Sequence, residues 1–220
     1  MCFLTKCPYV PPHAFNLDFP HLMVRARAVA AKKNGVPFGL KQITETDRNG
    51  QIGCSTAALA NWAGKRGNAL TRPILESVLG VHRDAELPAF ASGTLEQQAR
   101  RSKIERDATA PSARAGRKAA VFATCFANYN ATAIGAAALE VLARNGVEAE
   151  LVYPGCCGMP QLEQGDLARV NDAALKAAAA FKPWIEKGYD VVSLTPSCSL
   201  MLKFEWPLIV PKNTPAYADV

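Results

Sequence analysis

The feature that most limits how this chain can fold is the alternation of short apolar runs and amphipathic stretches in its second half. Ala119–Thr124 is an apolar run suited to a buried strand, Val147–Tyr153 alternates Val147, Ala149, Leu151 and Tyr153, and Val191–Thr195 is a third such run. Thr132–Asn145 carries Ile134, Ala138, Val141 and Leu142 at helical spacing and stops at Asn145-Gly146. Asp166–Lys187 repeats Leu167, Val170, Ala174, Ala178, Phe181 and Ile185, with Pro183 bending its last turn, and Ser199–Phe204 opens a third helix. The order β-α-β-α-β-α predicts an α/β fold: a parallel sheet with crossover helices. All strands then end on one edge of the sheet, where open α/β folds place ligands.

The chain has seven cysteines, and four of them fall just after these strands. Cys125 follows the first strand, Cys156 and Cys157 the second, and Cys198 the third, so the topology gathers four thiols on one rim. The N-terminus lacks the basic-then-apolar layout of a signal peptide, and the expected location is cytoplasmic. Thiols in a reducing compartment are not a disulfide framework, so their clustering reads as a metal site, a cluster site or a catalytic site. Gly155 and Gly158 flank the vicinal pair and let the backbone turn sharply beside a bulky ligand. Cys157-Gly158-Met159-Pro160 and Cys198-Ser199 sit at predicted helix starts, whose free N–H groups favour thiolates and an anionic iron–sulfur cluster. Four cysteines also suit a closed zinc site, and a thiol–disulfide couple is a third possibility, strained for adjacent residues. Cys54 has no nearby partner in sequence and reads as a small buried hydrophobe.

Ahead of the alternation the pattern is helical. Prolines 8, 11, 12 and 20 keep the opening extended or turning, and helices are expected over Leu22–Lys33, Ile52–Gly64 and Pro73–Leu79, the last stopped by Gly80. Residues 94–118 are polar and basic and read as a linker with a helical turn around Leu95–Arg106. The formal net charge of +6 sits mostly between Arg100 and Lys118, where seven basic residues face Glu105 and Asp107. With the remainder near neutral and no aromatic residue interleaved to stack bases, nucleic acid is not an expected partner. No run approaches the ~20 apolar residues of a membrane span, so a membrane would be met only through a partner. His13, His21 and His82 lack an acidic or serine partner at catalytic spacing, and Asp18, Glu163 and Asp166 read as caps or surface groups. The strand–loop–helix at Cys125–Ile134 has neither Gly-x-Gly-x-x-Gly nor a Walker lysine to cradle phosphate.

At the N-terminus, Cys2-Phe3-Leu4-Thr5-Lys6-Cys7-Pro8 ends in the Cys-Pro pair that closes bacterial ferredoxin motifs. Two thiols cannot complete a four-ligand site without cysteines from elsewhere.

The stretches Phe122-Ala123-Thr124-Cys125-Phe126-Ala127-Asn128-Tyr129-Asn130, Asn145-Gly146-Val147-Glu148, Cys156-Cys157-Gly158-Met159-Pro160, Gly165-Asp166 and Pro196-Ser197-Cys198-Ser199-Leu200-Met201 together resemble the cysteine-rich CCG domain. That domain occurs in heterodisulfide reductase, in lactate-utilisation iron–sulfur proteins and in the iron–sulfur subunit of anaerobic glycerol-3-phosphate dehydrogenase. Thr5–His13, Asp18–Met23, Asn61-Trp62 and Leu87-Pro88 resemble the end of the ferredoxin region that precedes it in members of the glycerol-3-phosphate dehydrogenase type.

The resemblance implies an electron-transfer component of a multi-subunit oxidoreductase. It would pass electrons between a flavin-containing dehydrogenase and a quinone or disulfide acceptor, with the flavin on the partner and a membrane-associated quinone-reducing partner possible. Cys125, Cys156, Cys157 and Cys198 match cluster-ligand positions, and Cys2 and Cys7 the last two cysteines of a ferredoxin motif. Met201 stands where some members carry a further cysteine, which implies a four-thiolate cluster of the 4Fe–4S type. The implied division is a helical ferredoxin-type remnant over 1–93, a basic linker over 94–118 and a cysteine-rich domain over 119–220, the first of an expected pair. On the same pattern a truncated gene product is expected, with Met1 an internal methionine of the family sequence.

Overall fold

The computed structural model describes residues 7–102, 104–111 and 115–219. Its centre is a three-stranded parallel sheet of β1 (Lys118–Phe122), β2 (Glu148–Val152) and β3 (Asp190–Ser193), in the order β2-β1-β3. Val121 sits opposite Leu151 on one side and Val192 on the other, so the middle strand is the first in sequence. Small and branched side chains suit that position: Ala119, Ala120, Val121 and Phe122 are all buried, as a central strand covered on both faces requires.

Alternation along β1 separates two cores. Ala120 and Phe122 face α10 (Leu167–Glu186), against Val170, Ala174, Ala177 and Phe181. Ala119 and Val121 face α8 (Thr132–Arg144), against Leu139. The α10 inner stripe recurs every three or four residues and is rich in alanine, which lets the helix lie close to the sheet. Phe181 then meets the Phe122 ring edge-on at 5.6 Å. Asp166 caps this helix by accepting the Arg169 N–H, as the sequence pattern predicts for a cap, and Pro183 lies inside its last turns.

The α/β class and the β-α-β-α-β-α order hold. Two short helices are additional: α7 (Cys125–Tyr129) directly after β1 and α9 (Met159–Glu163) after the vicinal cysteines. The final helix begins earlier than expected, at Pro196, because proline fits a first helical turn. It runs as α11 (Pro196–Leu200) into a π-turn at Met201–Glu205 and then α12 (Trp206–Ile209). π-turns of this kind are often associated with functional sites.

Among the described residues, everything before β1 is helix and loop. α1 (Phe19–Asn34) is capped by Asp18 and stopped at Gly35, close to the expected helix. α2 (Phe38–Ile43) follows. The helix expected over Ile52–Gly64 is instead two, α3 (Thr46–Ser55) and α4 (Ala57–Gly64), parted at Thr56. The hydroxyls of Ser55 and Thr56 bond back to the carbonyls of Gln51 and Ile52, which bends a helix, and Thr56 leaves the helical region with φ −122°. α5 (Arg72–Leu79) ends on Gly80 as predicted. Its Arg72 is buried, donating to the carbonyls of His82, Arg83 and Ala85 at 2.6–2.9 Å.

The basic stretch opens with a real helix, α6 (Leu95–Arg101), fixed by a capping box between Thr94 and Gln97. Leu95 is buried against Ala123 and Ala127, so the start of this stretch belongs to the core. No described helix is long and apolar enough to cross a membrane.

Candidate metal or cluster centre

Each strand of the sheet hands its chain directly to a cysteine. Thr124, buried with φ +52°, turns the backbone out of β1 and caps α7 through its hydroxyl, which makes Cys125 the first residue of that helix. A β-branched residue at positive φ is strained, and such strain gathers at working sites. The same hydroxyl lies 3.2 Å from that of Thr195, the residue before α11, and so ties the loop after β1 to the loop after β3.

After β2 the chain turns through Gly155 at φ +135° and Gly158 at φ +87°, on either side of Cys156 and Cys157. A Cβ at Gly155 would stand 3.1 Å from the Asp47 carboxylate, while at Gly158 it is the positive φ that calls for glycine, since a Cβ there would meet Val170 of α10 only in ordinary contact. After β3, Cys198 sits in α11.

The four sulfurs meet. Cys125 and Cys156 are 3.8 Å apart and Cys157 and Cys198 3.4 Å, and the two pairs are linked by the adjacency of Cys156 and Cys157 in the chain. Cys156, Cys157 and Cys198 are buried and Cys125 is partly exposed, so the row runs inward from the surface. The Cys125 thiol, and then that of Cys157, hold Cys156 well below the ordinary thiol range, and the Cys157 thiol lowers that of Cys198. In return Cys125 and Cys157 are pushed up by those neighbours and by burial.

Helix N-termini were the expected source of thiolate stabilisation, but these helices are only five residues long and have little dipole to offer. The favourable contacts are the neighbouring thiols, Cys125 at Cys156 and Cys157 at Cys198.

As a donor set, the row is chemically uniform, four sulfurs with the two inner positions shielded, which suits thiophilic iron–sulfur chemistry. Among the described residues, no three or more of His, Cys, Asp and Glu are placed to close on a single metal ion.

The remaining cysteines lie apart from this row. Cys54 is buried and donates to the Tyr129 carbonyl at 3.3 Å, and burial pushes its thiol up, as the sequence reading of a small core residue anticipates. Cys7 is half-buried ahead of α1 and hydrogen-bonds to none of the other described thiols; Cys2 falls outside the described residues. His13 packs with Tyr9 and Phe15, and His82 is exposed. His21 is pinned between Asp18 and Glu205 and so joins α1 to the π-turn.

Several residues around the row carry no local signal in sequence. Asp47 in the first turn of α3 accepts the Cys156 N–H at 2.9 Å, the Tyr153 hydroxyl, and the Tyr129 hydroxyl at 3.4 Å. Burial, with the Asp47 charge beside it, pushes the Tyr153 phenol up, and Tyr129 is raised to about 12 chiefly by burial. Trp206, just past the π-turn, donates its indole N–H to the Cys157 carbonyl at 2.9 Å. Nothing in the sequence at 46–47 points to a cysteine more than a hundred residues away.

Residues 119–203 match the family model described as a cysteine-rich domain, CCG. Over 170 residues the chain is 24% identical to a subunit of anaerobic glycerol-3-phosphate dehydrogenase from Escherichia coli K12, covering 76% of this chain and 41% of that protein. It is 34% identical over 93 residues to lactate utilization protein A of Bacillus velezensis, covering 41% of this chain and 36% of that protein. The chain thus spans about two fifths of the length of the curated relatives it matches. No solved structure matches it significantly. The segment running from β1 through the turn after Cys198, with its four converging thiols, is thus similar to the CCG cysteine-rich domain.

Proposed function

We propose that this chain is an iron–sulfur electron-transfer component of a multi-subunit oxidoreductase. Its named relatives are one component of a dehydrogenase and a lactate-utilisation protein, which supports an oxidoreductase role. The single observation that carries the reading is the gathering of four sulfurs from three separate strand ends, in two pairs 3.8 and 3.4 Å apart. In this reading Cys125, Cys156, Cys157 and Cys198 hold a four-thiolate cluster of the 4Fe–4S type. Such a cluster supplies reversible one-electron transfer.

The chain's own residues do the rest. Thr124 and Thr195 fix the loops, Trp206 anchors the Cys157 carbonyl, and Met201, buried in the same core as Cys198, helps keep water out. Partly exposed Cys125 marks the side on which an electron partner comes close. Cys2 and Cys7 belong to a second cluster completed by cysteines from another segment or chain, within the helical region 1–93 that residues 94–118 join to 119–220. The partner is a flavin-containing dehydrogenase, and the acceptor is a quinone or a disulfide. Quinone reduction would bring a cytoplasmic protein to the membrane through that partner. The competing reading is a zinc-stapled interaction module, in which the same four thiolates close on one ion.

Anaerobic reconstitution of the full chain with iron and sulfide tests the proposal. The expected product is brown, with broad visible absorbance and an EPR signal on reduction. Cys157→Ser should abolish cluster uptake while Cys54→Ser leaves it intact. A colourless wild type binding one zinc per chain would replace the electron-transfer reading with the structural one.

A further inference from the structure

The four sulfurs form two pairs that differ in what can reach them. Cys157 and Cys198 are 2% and 6% exposed and stand 3.4 Å apart, within the core that also holds Val170 and Met201. Cys125, the first residue of α7, is partly exposed and lies 3.8 Å from buried Cys156. A disulfide bond is about 2.05 Å long, so closing this outer pair takes an approach of roughly 1.8 Å, shared between two side chains on separate loops. The vicinal pair is less well placed for a bond. A trans peptide holds neighbouring Cα atoms roughly 3.8 Å apart, short of the ~4.4–6.8 Å that a disulfide usually spans. Cys54 is buried elsewhere, on the Tyr129 carbonyl.

We propose that Cys125 is a thiol-modification site in the metal-free chain, attacked by low-molecular-weight disulfides such as oxidised glutathione, and that Cys156 resolves the adduct into a Cys125–Cys156 bond. In the first step the Cys125 sulfur bonds to one sulfur of RS–SR and releases RS⁻, which leaves with the Cys125 proton as RSH. In the second the Cys156 sulfur attacks Cys125, and the other RS⁻ departs with the Cys156 proton. Two protein thiols lose two electrons in all, and RS–SR is reduced to two RSH. Burial keeps the solute from Cys157 and Cys198, which remain thiols. The bond removes two sulfurs from the set of four and closes the site to iron until a reductant reopens it. That consequence for loading rests on the iron–sulfur reading above; the bond itself does not.

The test is treatment of the reduced, metal-free full chain with oxidised glutathione, followed by alkylation of free thiols and non-reducing tryptic mass spectrometry. Cleavage after lysine and arginine puts Cys125 in 119–144, the vicinal pair in 145–169 and Cys198 in 188–203. The expected product joins 119–144 to 145–169, with tandem fragmentation placing the bond on Cys156 and finding Cys157 and Cys198 alkylated. Cys156→Ser should stop at a glutathione adduct on Cys125, and Cys125→Ser should leave 145–169 fully alkylated. A bond mapped to Cys156–Cys157 or to Cys157–Cys198, or a wild type whose Cys125 stays alkylated, overturns the proposal. Should either variant fail to fold, the wild-type map decides alone. The oxidised chain should take up no iron and sulfide until a phosphine reduces it, and uptake by the bonded chain refutes the closing of the site. A chain that forms the mapped bond yet stays colourless after reduction and reconstitution supports the thiol chemistry and removes the iron–sulfur reading instead.

Discussion

Replacing Trp206 by phenylalanine tests how firmly the loop of the vicinal cysteines is tied to the helix that follows Cys198. Trp206 is 3% exposed, and its indole N–H donates to the Cys157 carbonyl at 2.9 Å. Phenylalanine keeps an aromatic ring there but removes the donor, leaving a buried carbonyl unpaired at a cost of about 1–3 kcal/mol. It also removes three ring atoms from a closed core, worth roughly 2 kcal/mol as lost transfer and residual cavity. The expected loss is therefore about 3–5 kcal/mol, at roughly 2–4 °C of Tm per kcal/mol for a chain of this size.

Trp184→Phe is the control. That residue is half-buried and packs edge-on against Tyr189, and its indole makes no hydrogen bond among the described residues. Urea denaturation of both variants followed by far-UV circular dichroism gives the comparison. A Trp206→Phe loss below about 1 kcal/mol, or one equal to that of Trp184→Phe, would mean that the indole-to-carbonyl bond does not hold the loop as argued.

Three further outcomes are expected. Asp18 holds the His21 imidazole above its ordinary value of 6.5, against burial and with help from Glu205, while Asp18 itself is lowered from 3.8 by His21 and Arg25. The His21 contribution, at most about 1 kcal/mol for so exposed a group, is thus full below the unfolded histidine value and lost as pH rises through the raised folded one. The Asp18 contribution is present above 3.8 and lost as pH falls through its lowered folded value, so the stability gap between wild type and His21→Gln should be widest in between and close by pH 9; a gap that widens with rising pH contradicts the pairing. Arg72→Met strands the carbonyls of His82, Arg83 and Ala85 and should cost about 2–3 kcal/mol in urea denaturation, a loss under 0.5 kcal/mol counting against the stitching role. Asp18→Ala removes the α1 cap and should cost ~1 kcal/mol and speed proteolysis within Phe19–Asn34, and an unchanged cleavage pattern would show the cap to be idle.

The parallel sheet was legible because its strands and helices announce themselves locally. β1 is four buried residues after a lysine, α10 repeats its apolar stripe for five turns, and the cysteines stand where the apolar runs stop. Convergence of the thiols then follows from topology alone, with no knowledge of side-chain packing. What escaped notice depends on contacts between distant segments. The break at Thr56 comes from hydroxyls competing for helix carbonyls, a choice that a smooth apolar pattern hides. Leu95 looked like part of a solvated basic run because charge dominates its neighbours, while its own side chain is buried under the sheet. The roles of Asp47 and Trp206 are invisible for the same reason: their partners, Cys156 and Cys157, lie 109 and 49 residues away.

The reach of α3 over Cys156 also bears on how the molecule can be taken apart. A fragment starting at β1 would retain every sulfur of the row and every strand, yet lose the acceptor of the Cys156 amide and of the Tyr153 and Tyr129 phenols. The border that similarity draws at residue 119 is thus a border of inheritance, and the electrostatic surroundings of the sulfurs straddle it. Transplanting the cysteine-bearing half onto another helical neighbour would carry the same thiols into a different field.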